Sequence, residues 1–426
     1  VVADHFRFRH ALMRDAAYGL LTDEDRRLGH RLAAAWLSRR EPDPLPIAEH
    51  YLRADEPVSA APWLLRAVER AYERDDFDGT HRLSRRSSGM PDEYVGQLAS
   101  YAASAAVMRW DWDGADEAAA RALELLPVGA RCWIRAHRTR GTIAAYHHRP
   151  DHMLASIESL LAVTPADDAR LEYGDTLLHL ASASAQTGDT TLARKVFERA
   201  RDTLAPLLSR YPGIHAWQNL ICCTLLRHTD DDLATQLFLL READRLHEVI
   251  GAPRSMVVLT RDVLGEVLSR AGQLGEGVAV LRRAHEDALR VGASYLLSHS
   301  RLALANGLLA AGQLDEAETL VSELLATRGI SEGYQAMAND VLAQVLSARG
   351  RNAEAALRAR EAIDKSSHTP VRRWLMSAHL AEALAALDRG EEGFAVASEA
   401  LSEMVRAGGG GYAETSLVLS TAEVAL

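Results

Sequence analysis

The sequence predicts an all-α chain folded as a right-handed α-solenoid of helical hairpins, and three observations carry that prediction. Alanine and leucine abound while aromatic residues make up 6%, a composition that favours helix over sheet. Apolar residues recur at helical spacing rather than in strand alternation. One pattern of small residues also returns about every 40 residues, as expected of stacked helix-turn-helix units.

In chain order, residues 1–40 form a helical lead-in. "FRFRHALMRDAAYGLLTDEDRRLGHRLAAAWL" (Phe6 to Leu37) sets Leu12, Ala16 and Leu20 on one helix face and Leu28, Leu32 and Trp36 on the next, with Thr22-Asp23 as a cap between them. Such faces need a partner, so the lead-in is expected to dock on the first repeats. Trp36→Ala is then expected to cost roughly 3–5 kcal/mol.

Residues 41–407 carry the repeats. The opening hairpin is "AEHYLRADEPVSAAPWLLRAVERA" (Ala48 to Ala71). The clearest later copy is "LALANGLLAAGQLDEAETLVSELL" (Leu302 to Leu325), with Leu304-Ala305 and Leu308 on a first helix, a turn at Gly312, and Ala317, Val321 and Leu324 on a second. Further copies turn around Gly188, Gly272, Gly350 and Asp388, and weaker ones precede them. The small or apolar anchors of the second helices are Ala115, Met153, Ala193, Ala234, Gly277, Ala317, Ala355 and Gly393, spaced by 38, 40, 41, 43, 40, 38 and 38 residues. In the unit containing Ala234, the first helix is expected to present Ile221-Cys222 and Leu225. Small residues at these offsets let two helices cross at short distance. A leucine at Ala317 would force its hairpin open, and urea unfolding of Ala317→Leu is expected to show a loss of roughly 1–3 kcal/mol.

These offsets resemble the tetratricopeptide repeat over about residues 47–402, although the units exceed that repeat's usual length of about 34 residues and most lack its Trp and Tyr. The lead-in resembles the segment that follows the nucleotide-binding module in bacterial signal-transduction ATPases of the STAND class. The matching residues are Phe8, His10-Ala11-Leu12, Arg14, Ala16-Ala17-Tyr18, Arg26, His30 and Ala34. The version "RRLGHRLAAAWL" is most similar to the serine/threonine-kinase-linked group. The resemblance implies an upstream ATPase module in the same chain and an effector (a kinase, a cyclase or a transcription regulator) beyond it. It also implies a sensor and scaffold role for this region. His10 and His30 are expected to be packed structural residues at the module's end.

Catalytic motifs are missing. The sequence holds no Walker A loop, no G-x-G-x-x-G, H-R-D or D-F-G set, no G-x-S-x-G elbow and no H-E-x-x-H pair. The region is therefore expected to be no enzyme, to use no cofactor and to hydrolyse no ATP. "YHHRPDH" brings His147, His148, Asp151 and His152 close in sequence, but Pro150 places them in a turn, and a solvated loop is preferred to a metal site. Cys132 and the adjacent Cys222-Cys223 form neither a disulfide framework nor a zinc pattern, which suits a reduced, cytoplasmic setting. The net charge of −11 excludes a general nucleic-acid footprint, and no apolar run is long enough for a membrane span.

The first helices are expected to line a concave groove. Its lining would include Arg135, Arg138 and Thr142 early and Asp262, Glu266, Arg270, His299, Asn306, Asp340, Gln344 and Glu382 later, so that the groove runs from basic to acidic. Such a face suits a protein or peptide partner, or a small ligand. A purely architectural, oligomerising surface is the alternative, and the oligomeric state stays open. Residues 412–426 form a terminal helix after the hinge Gly408–Gly411. Its "ETSLVLSTAEVAL" stretch is too apolar for an outer cap, so the chain is expected to continue past Leu426.

Overall fold

The computed structural model describes residues 10–40, 43–147, 149–186, 189–229, 232–366, 370–406, 417–418 and 421. These residues form 21 α-helices and one short 3₁₀ turn, with no strand among them. The hinge Gly408–Gly411 and nearly all of the expected terminal helix 412–426 lie outside the described residues. So do the turn glycine Gly188 and His148 of the histidine-rich turn. Of the terminal helix, Leu417 is described, and it is buried against Trp374, Ala378, Ala400 and Met404.

Helices α1 (Ala11–Gly19) and α2 (Asp23–Ser38) lie in the expected lead-in, and α3 (Pro44–Arg53) packs on the helix that follows it, over the stretch Ala48 to Ala71 read as the opening hairpin. Nine hairpins follow among the described residues. The first three are α4 (Pro57–Glu73) with α5 (Phe77–Ser84), α6 (Asp92–Met108) with α7 (Trp112–Leu125), and α8 (Arg131–Tyr146) with α9 (Pro150–Leu161). The middle three are α10 (Arg170–Gln186) with α11 (Thr190–Leu204), α12 (Pro212–Thr229) with α13 (Leu233–Ile250), and α14 (Arg254–Arg270) with α15 (Leu274–Val291). The last three are α16 (Ser294–Ala310) with α17 (Leu314–Leu325), α18 (Glu332–Ala348) with α19 (Asn352–Lys365), and α20 (Pro370–Ala385) with α21 (Gly390–Arg406). The second helix of each hairpin packs on its own first helix and on the first helix of the next. The first helices also pack directly on one another in chain order, from α4 to α20. That shared contact draws the stack inward on their side and makes it the concave one.

The small residues do what their spacing implies. At the crossing of α14 and α15, a Cβ on Gly265 would stand 3.0 Å from the Gly277 carbonyl oxygen, and one on Gly277 would stand 2.9 Å from that of Gly265. Two backbones touch there, and only glycine fits. Ala193, Ala317 and Ala355 occupy the same place in other hairpins and are fully buried. Aspartates open several second helices, with Asp76, Asp111, Asp189 and Asp232 accepting backbone N–H bonds from the first turn, which satisfies donors that a helix start leaves open.

One hairpin corrects its sequence register. Ala234 is exposed, and Gln236, four residues after the cap Asp232, is the buried anchor of α13. In seven other hairpins the small residue of the first helix precedes the second-helix anchor by twelve positions, as in Gly265/Gly277 and Ala305/Ala317. The same spacing sets Thr224, not Cys222, opposite Gln236. The Cys223 thiol donates to the Gln236 carbonyl at 3.4 Å. This hairpin therefore places polar side chains where its neighbours place alanine.

The lead-in packs on α3 through α2, but not by the apolar residues expected to dock it. Leu12 and Leu20 are 83% and 87% exposed, and Leu32 and Trp36 are 61% and 45% exposed. Helix α1 buries no residue, and α2 buries His30 and Ala34. The apolar stripes are real, but they do not face the repeats. Trp36 is covered by the Arg40 guanidinium 3.7 Å from its ring centre. Trp36→Ala is accordingly expected to cost about 1 kcal/mol or less, and a melting shift equivalent to several times that would contradict the exposed placement. His30 is packed as expected: its Nε2 lies 2.8 Å from the Tyr18 hydroxyl and its Nδ1 2.9 Å from Nδ1 of His50. His10, expected to be packed as well, is exposed at the start of α1.

Candidate functional site

Charged residues on the first helices do not form a gradient along the groove. They pair with the next first helix, one unit on. Arg135 donates to both carboxylate oxygens of Glu172, at 3.0 and 2.5 Å, and Arg138 donates to Asp175 at 2.5 Å. Arg227 donates to both oxygens of Glu266, at 2.9 and 2.7 Å. His299 bonds Asp262 at 2.9 Å and His379 bonds Asp340 at 2.7 Å. The partners stand 37 to 39 residues apart in sequence, which is the repeat length itself. The expected run from basic to acidic is thus replaced by a ladder in which arginine or histidine faces a carboxylate across four of the junctions between first helices.

Burial makes the ladder stiff. Glu172 and Arg135 are 9% and 5% exposed. Burial pushes the Glu172 carboxyl up, but the Arg135 and Arg138 charges outweigh it and hold the pKa at about 2. The Arg135 guanidinium also lies 4.2 Å from the ring centre of Tyr101, an arrangement that a weakly hydrated, planar cation tolerates well. Asp262 behaves differently. Burial raises its carboxyl pKa against the opposing pull of His299.

Further along, the groove deepens into a cavity of about 300 Å³. Of the residues predicted for the groove, Glu266, His299, Asn306 and Asp340 line it. Asp262 is buried beneath its bond to His299, and Gln344 donates to Asp340 at 3.2 Å. Arg135 and Arg138 belong to the earlier ladder and are not among the lining residues, nor are Arg270 and Glu382, and Glu382 is exposed. The prediction missed Arg227, Arg372, Tyr146, Tyr295 and Tyr334, all of which line the cavity. A signal for Arg227 was available: in the corrected register it takes the position held by Leu268 and Leu308 in other hairpins. Burial lowers the Arg372 pKa and raises those of the Tyr295 and Tyr334 hydroxyls well above their ordinary value.

Tyr146 reaches this cavity from a distant part of the chain, because the solenoid closes on itself. The Tyr146 and Tyr295 hydroxyls are 3.0 Å apart across a separation of 149 residues. The Tyr146 ring stacks on Tyr334 with centres 6.1 Å apart, and Trp110 meets Tyr334 edge-on at 5.1 Å. Nearer the start of these helices, Asp75 accepts from the Ser255 hydroxyl at 2.5 Å and from its backbone N–H at 3.0 Å. Phe77 and Ala105 share an apolar cluster with Val258, Ala288 and Leu296. The first three hairpins thus touch the sixth, seventh and eighth.

Cys223 is buried and Cys222 half-buried, with all three cysteines free. Among the described residues no cluster of histidine, cysteine and carboxylate has the makings of a metal site. No helix among them is long and apolar enough to cross a membrane.

No protein-family model and no curated protein matches the sequence. Solved structures do resemble the fold. A Rap protein complexed with competence and sporulation factor is 10% identical, covers 78% of this chain and 97% of its own, and superposes with a TM-score of 0.50. A signal transduction ATPase with numerous domains that carries a tetratricopeptide repeat sensor, from Pyrococcus horikoshii, is 11% identical over 95% of this chain and 66% of its own, with a TM-score of 0.48. The Cut9–Hcn1 hetero-tetramer of the APC/C is 13% identical over 98% of this chain and 92% of its own, with a TM-score of 0.40. The chain is an α-solenoid of tetratricopeptide-repeat-like helical hairpins, and at such identities the likeness is one of fold.

Proposed function

We propose that this chain is a non-catalytic sensor and scaffold arm. In this reading it binds a protein segment, a peptide or a small ligand in its inner groove and biases an ATPase module and an effector of the same signalling protein. The cavity is the observation that supports it most. Helices from six hairpins converge there, with guanidinium groups and tyrosine hydroxyls beside Asn306, His299 and Asp340. A concave recess where several polar groups converge among apolar side chains is a usual place for a ligand. Asn306 suits a peptide amide, and the tyrosine hydroxyls can both donate and accept. The Rap protein of similar fold is complexed with competence and sporulation factor, which agrees with ligand binding by such a solenoid. The link to an ATPase, to a kinase-type or transcriptional effector and to the cytoplasm rests on the resemblance of the lead-in.

The test is selection of binders from a random-peptide display library on the purified chain, followed by calorimetry. A selected peptide is expected to lose about tenfold or more in affinity on Asn306→Ala, since one unmet buried hydrogen bond is worth about 1–3 kcal/mol. Selected peptides that bind the variant unchanged would refute the site. A second reading, assembly through the lead-in, is favoured by the exposed Leu12, Leu32 and Trp36. A solution mass above that of the monomer that falls on Leu32→Glu would support it.

A further inference from the structure

We propose that Trp110 is the clasp of a closed solenoid, and that the seam it holds with Tyr146 opens to admit a ligand to the cavity. The closure stands on geometry alone; only its purpose rests on the function proposed above.

The position of Trp110 is the first argument. It is the residue between a first helix and the cap of a second, where the chain takes a left-handed conformation. Gly272, Gly312 and Gly350 hold that place in other hairpins, and Asp75 and Asp388 in two more, all at positive φ. Trp110 adopts the same conformation at φ 63°, which is unfavourable for a bulky side chain. The turn itself does not need the ring. Trp110 and Asp111 donate to the Val107 and Ala106 carbonyls at 3.1 and 3.0 Å, as Gly312 and Gln313 donate to Leu309 and Leu308 at 3.0 and 2.8 Å. Strain that the local turn does not require points to a use elsewhere.

The use is visible in where the indole goes. It is 8% exposed and lies against Tyr334 of α18 and, at 6.3 Å, Tyr295 of α16, far along the chain. Polar contacts across the seam are few. Beyond the aromatic rings and the small apolar cluster of Phe77 and Ala105 with Val258, Ala288 and Leu296, it holds the Tyr146–Tyr295 hydroxyl pair and the Asp75–Ser255 bonds. The indole N–H of Trp110 is buried without an acceptor among the described residues, so the closed state is not fully satisfied. Each hairpin keeps its own core when the seam parts, which makes opening a local event. Tyr146, Tyr295 and Tyr334 belong both to the seam and to the cavity lining, so parting the seam uncovers the cavity.

Cys223 supplies a reporter that needs no ligand. It lines the cavity and is 1% exposed. In a chain carrying Cys132→Ser and Cys222→Ser, alkylation of Cys223 by iodoacetamide at fixed pH reads access to the cavity. Trp110→Gly retains the turn and removes the clasp, and it is expected to speed this reaction about tenfold or more, with a larger radius of gyration by X-ray scattering. Cys132, buried in the third hairpin, is the control in a Cys222→Ser, Cys223→Ser chain, and its rate is expected to stay the same. A Cys223 rate that does not change overturns the clasp, and so does a parallel rise at Cys132, which signals general loosening. If Trp110→Gly fails to fold, Tyr146→Phe removes one hydroxyl of the seam and is expected to give a smaller rise of about two- to threefold; an unchanged rate there overturns the proposal. Protection of Cys223 by a display-selected peptide is a separate measurement, and its failure counts against the ligand site and not against the clasp.

Discussion

Glu172→Leu is expected to destabilise the chain by about 3–5 kcal/mol, because it leaves the buried Arg135 guanidinium facing no carboxylate, while Arg138 keeps Asp175. Arg135 loses both of its bonds to Glu172, and its alternative contact, the Tyr101 ring, does not replace a charge. Urea unfolding at constant m-value measures the loss. Adding Arg135→Met to the same chain is expected to return much of it, since a buried pair replaced by apolar groups of similar size is often neutral. The pair also fixes a pH dependence. Glu172 titrates at about 2 in the folded chain, below its ordinary 4.5. Its contribution is therefore fully present above the ordinary value and is lost as pH falls through the folded one. The wild-type chain is expected to lose stability between about pH 5 and 2 more steeply than Glu172→Leu, which lacks that group.

Tyr334→Ala is expected to cost about 3–5 kcal/mol, the range for truncating a fully buried aromatic ring. Tyr334 is 1% exposed and sits where α18, the Trp110 indole and the Tyr146 ring meet. No single helix can shift to fill the space without losing another contact. Tyr334→Phe keeps the ring and is expected to cost about 1 kcal/mol. Thermal unfolding of the two variants separates packing from hydrogen bonding, and near-equal losses would show that the hydroxyl carries the position.

The hairpins were legible in the sequence because helix crossing imposes a local rule. Ala305 and Ala317, or Gly265 and Gly277, must be small wherever two backbones meet, and the rule repeats at a fixed offset. The same rule misled at the fifth hairpin. Ala234 offered a small residue two places before the true anchor, and only the cap at Asp232 distinguishes them. Glu266, His299, Asn306 and Asp340 were identifiable as polar residues on first helices. Their pairing was not, since a charge on one helix does not announce which rung of the next it meets. The stripes of Leu12, Leu20, Leu32 and Trp36 reveal amphipathic helices, but an apolar stripe does not name what covers it. Tyr146 and Tyr295 carry no mutual signal at all, because the curvature that joins them is a sum of small rotations over many units.

That closure also bears on how the chain folds. An open solenoid has almost only near-neighbour contacts, so each hairpin can form early and stability spreads from unit to unit like a zipper. Bonds that link residues 149 and 180 positions apart can form only after the intervening hairpins are in place, since the entropy of closing so long a loop has no compensation before then. The seam is therefore the last part to assemble and the first to part on denaturation. Once joined, it ties the stability of the first three hairpins to that of the sixth, seventh and eighth, and a nearly one-dimensional array gains cooperativity between units that are not neighbours.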